Sequence, residues 1–143
     1  MKNLRNAFTM IEVVFVIVII GILAAIAVPK FATTRNDAII ARGKADISTI
    51  RSAIVSERQS QLIKGNSSWI PKLSDNNTTL FSGDGNRTLL MYGLSSDQWA
   101  HTGTTATTDT YTFTANGTVT TFTYNNTNGK FTCAGGDCSK LTK

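Results

Sequence analysis

Charge is scarce in this chain and unevenly spread. Only 16% of the 143 residues are charged, and none of residues 13–28 is. Histidine occurs once, as His101. A lone histidine builds no catalytic triad by itself, and its polar, turn-rich surroundings place it on a surface loop. No G-x-x-x-x-G-K-[ST] string is present, which removes the common phosphate-cradling loop. Cysteine occurs only at Cys133 and Cys138. That C-x4-C spacing fits neither the C-x2-C pattern of zinc sites nor the C-x-x-C of redox pairs, so the pair reads as a disulfide. Closing so short a loop stabilises by about 2 kcal/mol in the chain-entropy model. No catalytic constellation emerges, and the chain is not expected to be an enzyme.

The net charge of +5 invites a nucleic-acid reading, but the excess lies early in the chain. Residues 8–64 carry seven basic and four acidic side chains, whereas from Gly65 onward there are five of each. The basic balance is therefore weak evidence for nucleic-acid binding.

What the chain has in quantity is helix. Residues 1–7 are short and basic, with Lys2 and Arg5. Residues 8–29 form an apolar segment, of which residues 8–28 span about 31 Å as a helix, enough for a ~30 Å hydrocarbon core. Residues 30–64 turn amphipathic: Ile39, Ile40, Gly43, Ile47, Ile50 and Ile54 recur at helical spacing, with charged residues, Glu57 among them, mostly elsewhere. We expect one helix of roughly 80 Å from about Phe8 to Leu62, bent or locally opened at Pro29. Residues 65–143 form a head. One strand is expected over 88–92, a hairpin over 110–124 around Ala115-Asn116-Gly117, and a third strand at 130–133. Thirteen threonines between Thr102 and Thr127 suit a sheet with one wet face. Tyr111, Phe113, Val119, Phe122 and Tyr124 are expected to cover the helix, and Trp69 and Trp99 to join the packing. The fold class is α+β: a long N-terminal helix, membrane-spanning in its first half, packed on a small antiparallel sheet.

Glu12 interrupts the apolar segment. A carboxylate inside a membrane span costs about 2.5–3.5 kcal/mol on insertion scales. A cleavable secretory signal, cut after Ala25-Ile26-Ala27 to release a soluble protein, does not account for it. A plain anchor does not either. The string FTMIEVVFVIVIIGILAAIAVPKF resembles the N-terminus of type IV pilins and type II secretion pseudopilins. The likeness covers residues 1–55, and it includes the basic leader, Phe8, Thr9, Glu12, Gly21 and Pro29.

The resemblance implies that a prepilin peptidase removes residues 1–7 by cutting between Ala7 and Phe8, then N-methylates Phe8. The family usually has Gly where this chain has Ala7. It also implies that Glu12 pairs with the Phe8 amine of a neighbouring subunit during assembly, and that the segment between Gly21 and Pro29 unwinds in the filament. The implied partners are further copies in a helical filament, the inner-membrane assembly platform and its ATPase. The protein would sit in the bacterial inner membrane as a single-pass subunit, then in a periplasmic or cell-surface filament. A competence-type pilin that captures DNA through Lys130, Lys140 and Lys143 is the alternative within the family. No cofactor is required. Calcium is conceivable through Asp109, Asp137 and residues 83–86, although no spaced acidic loop is present. The strings DNNTT (75–79) and DGNRT (84–88) match an extended acidic N-glycosylation sequon at Asn77 and Asn86, a pattern that turn-forming residues also produce by chance.

Overall fold

The structure, a computed structural model, describes residues 8–142. Residues 1–7, where the leader is expected, with Lys2, Arg5 and Ala7, lie outside the described residues, as does Lys143. The elements are α1 (Met10–Ile63), β1 (Trp99–Thr104), β2 (Thr108–Ala115), β3 (Thr118–Asn125), β4 (Lys130–Gly135) and α2 (Cys138–Leu141). The chain divides into a unit ending at Asp37 and a second beginning at Ala38.

The first unit is helix. Its apolar side chains from Phe8 to Phe31 make no core: the large ones are all exposed. By length and composition α1 is able to cross a membrane. It runs uninterrupted through Gly21 and Pro29 in the lone chain, so the opening expected at Pro29 is absent here.

The second unit builds its core where the helix turns amphipathic. Ile47, Ile50 and Ile54 are buried and Ile39 and Ile40 half-buried, as the three- and four-residue steps require. Glu57 continues that stripe and is only 7% exposed, against the expectation that it joins the polar face; three residues past Ile54 it has no other place to go. Gly43 sits at the closest approach. A methyl group there would stand 2.6 Å from Cζ of Phe113 and 3.0 Å from Cδ2 of Leu141.

The sheet is antiparallel in the order β1-β2-β3-β4. Strands β2 and β3 pair from Thr108↔Asn125 to Ala115↔Thr118, closed by Asn116-Gly117. Both turn residues have positive φ, 54° and 75°, as a two-residue type I′ hairpin demands. Strict alternation buries Asp109, Tyr111 and Phe113 in β2 and Thr120, Phe122 and Tyr124 in β3. Val119 was expected over the helix but is 53% exposed. Its odd number puts it on the opposite face from Phe122 and Tyr124.

Two further expectations are corrected. No strand forms over 88–92; isolated bridges Leu80↔Leu94 and Gly83↔Thr88 fold that stretch onto itself. A strand does form at β1, where alternation is poor: only Trp99 is buried, and the register shifts between His101 and Gly103. This places His101 on a strand and not in a loop.

Phe81, Trp99, Tyr111, Phe113, Phe122 and Phe131 form a continuous aromatic slab, with Phe122 stacked on Phe131 at 5.3 Å between ring centroids. The Ile50→Ala variant should destabilise the full chain by about 3 kcal/mol through a cavity under this slab. Val119→Ala should shift stability by no more than about 0.5 kcal/mol. Urea unfolding in detergent, followed by tryptophan fluorescence, measures both; equal effects would contradict the assigned faces.

Candidate functional site

Two places bear chemistry: the start of α1 and a buried polar cluster in the second unit. At the first, Phe8 is 81% exposed and Thr9 immediately precedes the helix. The Glu12 N–H donates to Thr9 Oγ1 at 3.3 Å and to the Thr9 carbonyl at 3.1 Å. Thr9 is thus the N-cap and Glu12 the third helical residue, the T-x-x-E spacing of a capping box. The T-x-x-E spacing signals this cap in the sequence, a role distinct from the assembly role that the resemblance implies for Glu12.

The cap gives Glu12 a local role, and magnitudes limit how far that role goes. An acidic residue near a helix N-terminus stabilises by about 0.3–1 kcal/mol. That is smaller than the cost of about 2.5–3.5 kcal/mol for a carboxylate within a membrane span. Among the described residues, Glu12 has no ion-pair partner. For a span that includes Glu12, local helix chemistry alone would therefore leave most of that cost unmatched.

The second cluster centres on Asp109, which is fully buried. Its Oδ2 accepts from the Leu73 N–H at 2.9 Å and the Tyr111 hydroxyl at 2.5 Å. Its Oδ1 accepts from Thr104 Oγ1 at 2.7 Å and faces His101 Nε2 at 2.6 Å. Tyr111 Oη lies 2.9 Å from Ser74 Oγ, which also accepts the Phe81 N–H. Ser, Tyr, Asp and His in sequence suggest a relay, yet Ser74 and Asp109 are sealed from solvent. We read the cluster as a clamp that fastens the 71–81 loop to β1 and β2. From sequence, Tyr111 is expected only in the packing over the helix, and Leu73, Ser74 and Thr104 carry no expectation, because nothing local marks residues 36 apart as partners.

The remaining candidate residues are scattered. Cys133 and Cys138 form a disulfide that joins the end of β4 to α2. Trp99 is buried and donates from Nε1 to Asp46 at 3.0 Å, whereas Trp69 is half-buried beneath the Arg58 guanidinium, 4.9 Å away. Asp137 pairs with Lys140 at 2.8 Å, and Asp84 Oδ1 accepts the N–H groups of Asn86 and Arg87. Asp109, Asp137 and Asp84 thus have protein partners, and among the described residues no three His, Cys, Asp or Glu side chains gather as a metal site. Of the lysines considered for DNA, Lys140 is paired, Lys130 is exposed and Lys143 lies outside the described residues.

The architecture, a long apolar-to-amphipathic helix followed by a four-stranded antiparallel sheet and a C-terminal disulfide, is that of a pilin-like α+β protein. Residues 2–28 match the prokaryotic N-terminal methylation motif. Three sequences of the type IV major fimbrial protein FimA from Dichelobacter nodosus are each 41% identical to this chain over 54 residues. That stretch is 38% of this chain and 35%, 35% and 34% of theirs, so the match spans about a third of those curated relatives. No solved structure matches the chain.

Burial, the Asp109 charge and the hydrogen bond to Asp109 all push the Tyr111 hydroxyl well above the ordinary tyrosine pKa of 10.0. Tyr124, which donates to the Ile70 carbonyl, is likewise pushed up, first by burial and then by the Glu57 charge. Such groups contribute stability that is complete below pH 10.0 and lost as the pH rises beyond it, because the unfolded chain ionises first. Alkaline titration at the tyrosinate absorbance should show Tyr111 and Tyr124 ionising only together with unfolding. Their titration in a folded head would contradict the clamp.

Proposed function

We propose that this chain is a structural subunit, and not an enzyme, of a type IV pilus or closely related type II secretion-type filament. The observation that carries the reading is the uncharged run of residues 13–28, whose large apolar side chains are all exposed. Glu12 stands at its N-terminal edge, within the segment that matches a methylation motif. So large an apolar surface must be covered by lipid or by other helices.

In this reading residues 1–7 are a leader, removed by a prepilin peptidase between Ala7 and Phe8, and Phe8 is then N-methylated. Residues 8–29 hold the subunit in the inner membrane as a single pass. On assembly by the platform and its ATPase the same segment becomes the filament core. Glu12 then meets the Phe8 amine of a neighbouring copy. Opposite charges about 4 Å apart attract by about 4 kcal/mol at an effective dielectric of 20, enough to offset the cost of placing Glu12 there. The pair also fixes the axial stagger between subunits. Gly21 and Pro29, both poor helix formers, mark where the helix opens in the filament. Similarity to major fimbrial proteins and the C-terminal disulfide favour a pilus over a secretion filament.

The test is the mature protein in its native host. The N-terminal tryptic peptide should begin at Phe8 and carry one methyl group, and peptide 131–140, which holds Cys133 and Cys138, should be two hydrogens lighter than its reduced form. The Glu12→Gln variant should be processed and inserted normally yet yield no filaments. A mature chain beginning at Val28 would overturn the reading, and wild-type filament yield from Glu12→Gln would remove Glu12 from assembly.

A further inference from the structure

Six asparagines stand two residues before a serine or threonine: Asn66, Asn76, Asn77, Asn86, Asn116 and Asn125. Such positions are acceptors for N-glycosylation in exported proteins. The bacterial form of the transfer also recognises an acidic residue two positions before the asparagine. Only Asn77, with Asp75 and Thr79, and Asn86, with Asp84 and Thr88, have one.

The fold independently separates Asn86 from the other five. Asn116 is held in the hairpin turn at φ 54°, and Asn125 is paired in the sheet with Thr108 and Lys130. Asn66 and Asn76 spend their side-chain oxygens on nearby backbone N–H groups. Asn86 is exposed, lies outside every strand, and has no side-chain hydrogen bond among the described residues. Its turn is set by Asp84 Oδ1, which accepts the N–H groups of Asn86 at 3.0 Å and Arg87 at 2.7 Å. Asp84 Oδ2 takes no part in those bonds, and Thr88 is exposed. Asn77 is also exposed, with its Oδ1 3.0 Å from His101 Nδ1, and Asp75 is an exposed partner of Lys72.

We propose that Asn86 is an N-glycan acceptor, with Asn77 the second, and that the sugar source is a lipid-pyrophosphate-linked oligosaccharide. In the transfer, Asn86 Nδ2 attacks C1 of the reducing-end sugar and the N–C1 bond forms. The C1–O bond to pyrophosphate breaks, the lipid pyrophosphate leaves with the electron pair, and the amide proton passes to solvent. The carboxylate of Asp84 is read by a cation on the transferase, and the Thr88 hydroxyl positions the amide. The inference rests on the functional reading only in placing residues 65–143 beyond the inner membrane.

Trypsin cuts after Lys72 and Arg87, so residues 73–87 form one peptide that contains both acceptors. Protein from the native host, fragmented by electron transfer, should show sugar on Asn86 and, at lower occupancy, on Asn77. The Asp84→Asn variant keeps an oxygen for the turn but removes the charge, and should lose the Asn86 glycan while the fold is retained. Asn86→Gln should leave only the Asn77 form. An unmodified 73–87 peptide, sugar on Ser82 or a threonine, or full Asn86 occupancy in Asp84→Asn would overturn the proposal. The N-terminal peptide from the same digest keeps the two readings apart. N-methyl-Phe8 with bare asparagines sinks the glycan alone, whereas the absence of Phe8 processing sinks the filament.

Discussion

An apolar helix surface that must be kept from water is the constraint on which everything else turns. Residues 13–28 amount to about 24 Å of uncharged helix, short of a full hydrocarbon core unless the segment starts near Phe8. That start brings Glu12 into the span. In the proposed span the positions of Phe8, Thr9 and Glu12 are coupled: length would require the early start, Thr9 caps it, and Glu12 stands at the third helical residue. A carboxylate there is tolerable in two settings, near the membrane boundary or beside a neighbour's cation. The proposed life of the protein uses both in turn.

The second unit solves a different problem, how a small domain holds a long loop. About a third of its residues lie between α1 and β1 without regular structure. The stretch is fastened by a few buried bonds: Asp109 to the Leu73 N–H, Ser74 to the Phe81 N–H, and Tyr124 to the Ile70 carbonyl. Phe81 accepts a positive φ of 60° to enter the aromatic slab. A bulky residue in that region costs of order 1–3 kcal/mol, which its complete burial offsets.

Periodicity carried the legible part of this fold. The amphipathic helix, the β2–β3 hairpin and β4 all follow from spacing and turn chemistry, and so does the proximity of Cys133 to Cys138. The errors lie where periodicity is weak or was misapplied. Val119 is a strong strand former, but its parity sends it outward. At β1 a bulge at His101–Gly103 erases the alternation, and at 88–92 a strand-like composition is overridden by the bridge between Leu80 and Leu94. The Asp109 clamp joins groups from positions 73, 101, 104, 109 and 111, and no local pattern announces such a convergence. At the N-terminus the cap was legible in T-x-x-E, while the partner of Glu12 is a matter of assembly and not of one chain.

The most direct measurement of the central claim is zero-length carbodiimide coupling on intact filaments, which joins only carboxylates and amines already in contact. If Glu12 and Phe8 pair between subunits, filaments should yield a peptide in which the Glu12 carboxyl of one subunit is amide-linked to the N-methyl amine of Phe8 from another, absent in membrane-held subunits. Filaments that yield no such peptide, with Glu12 joined elsewhere or left free, would contradict the account.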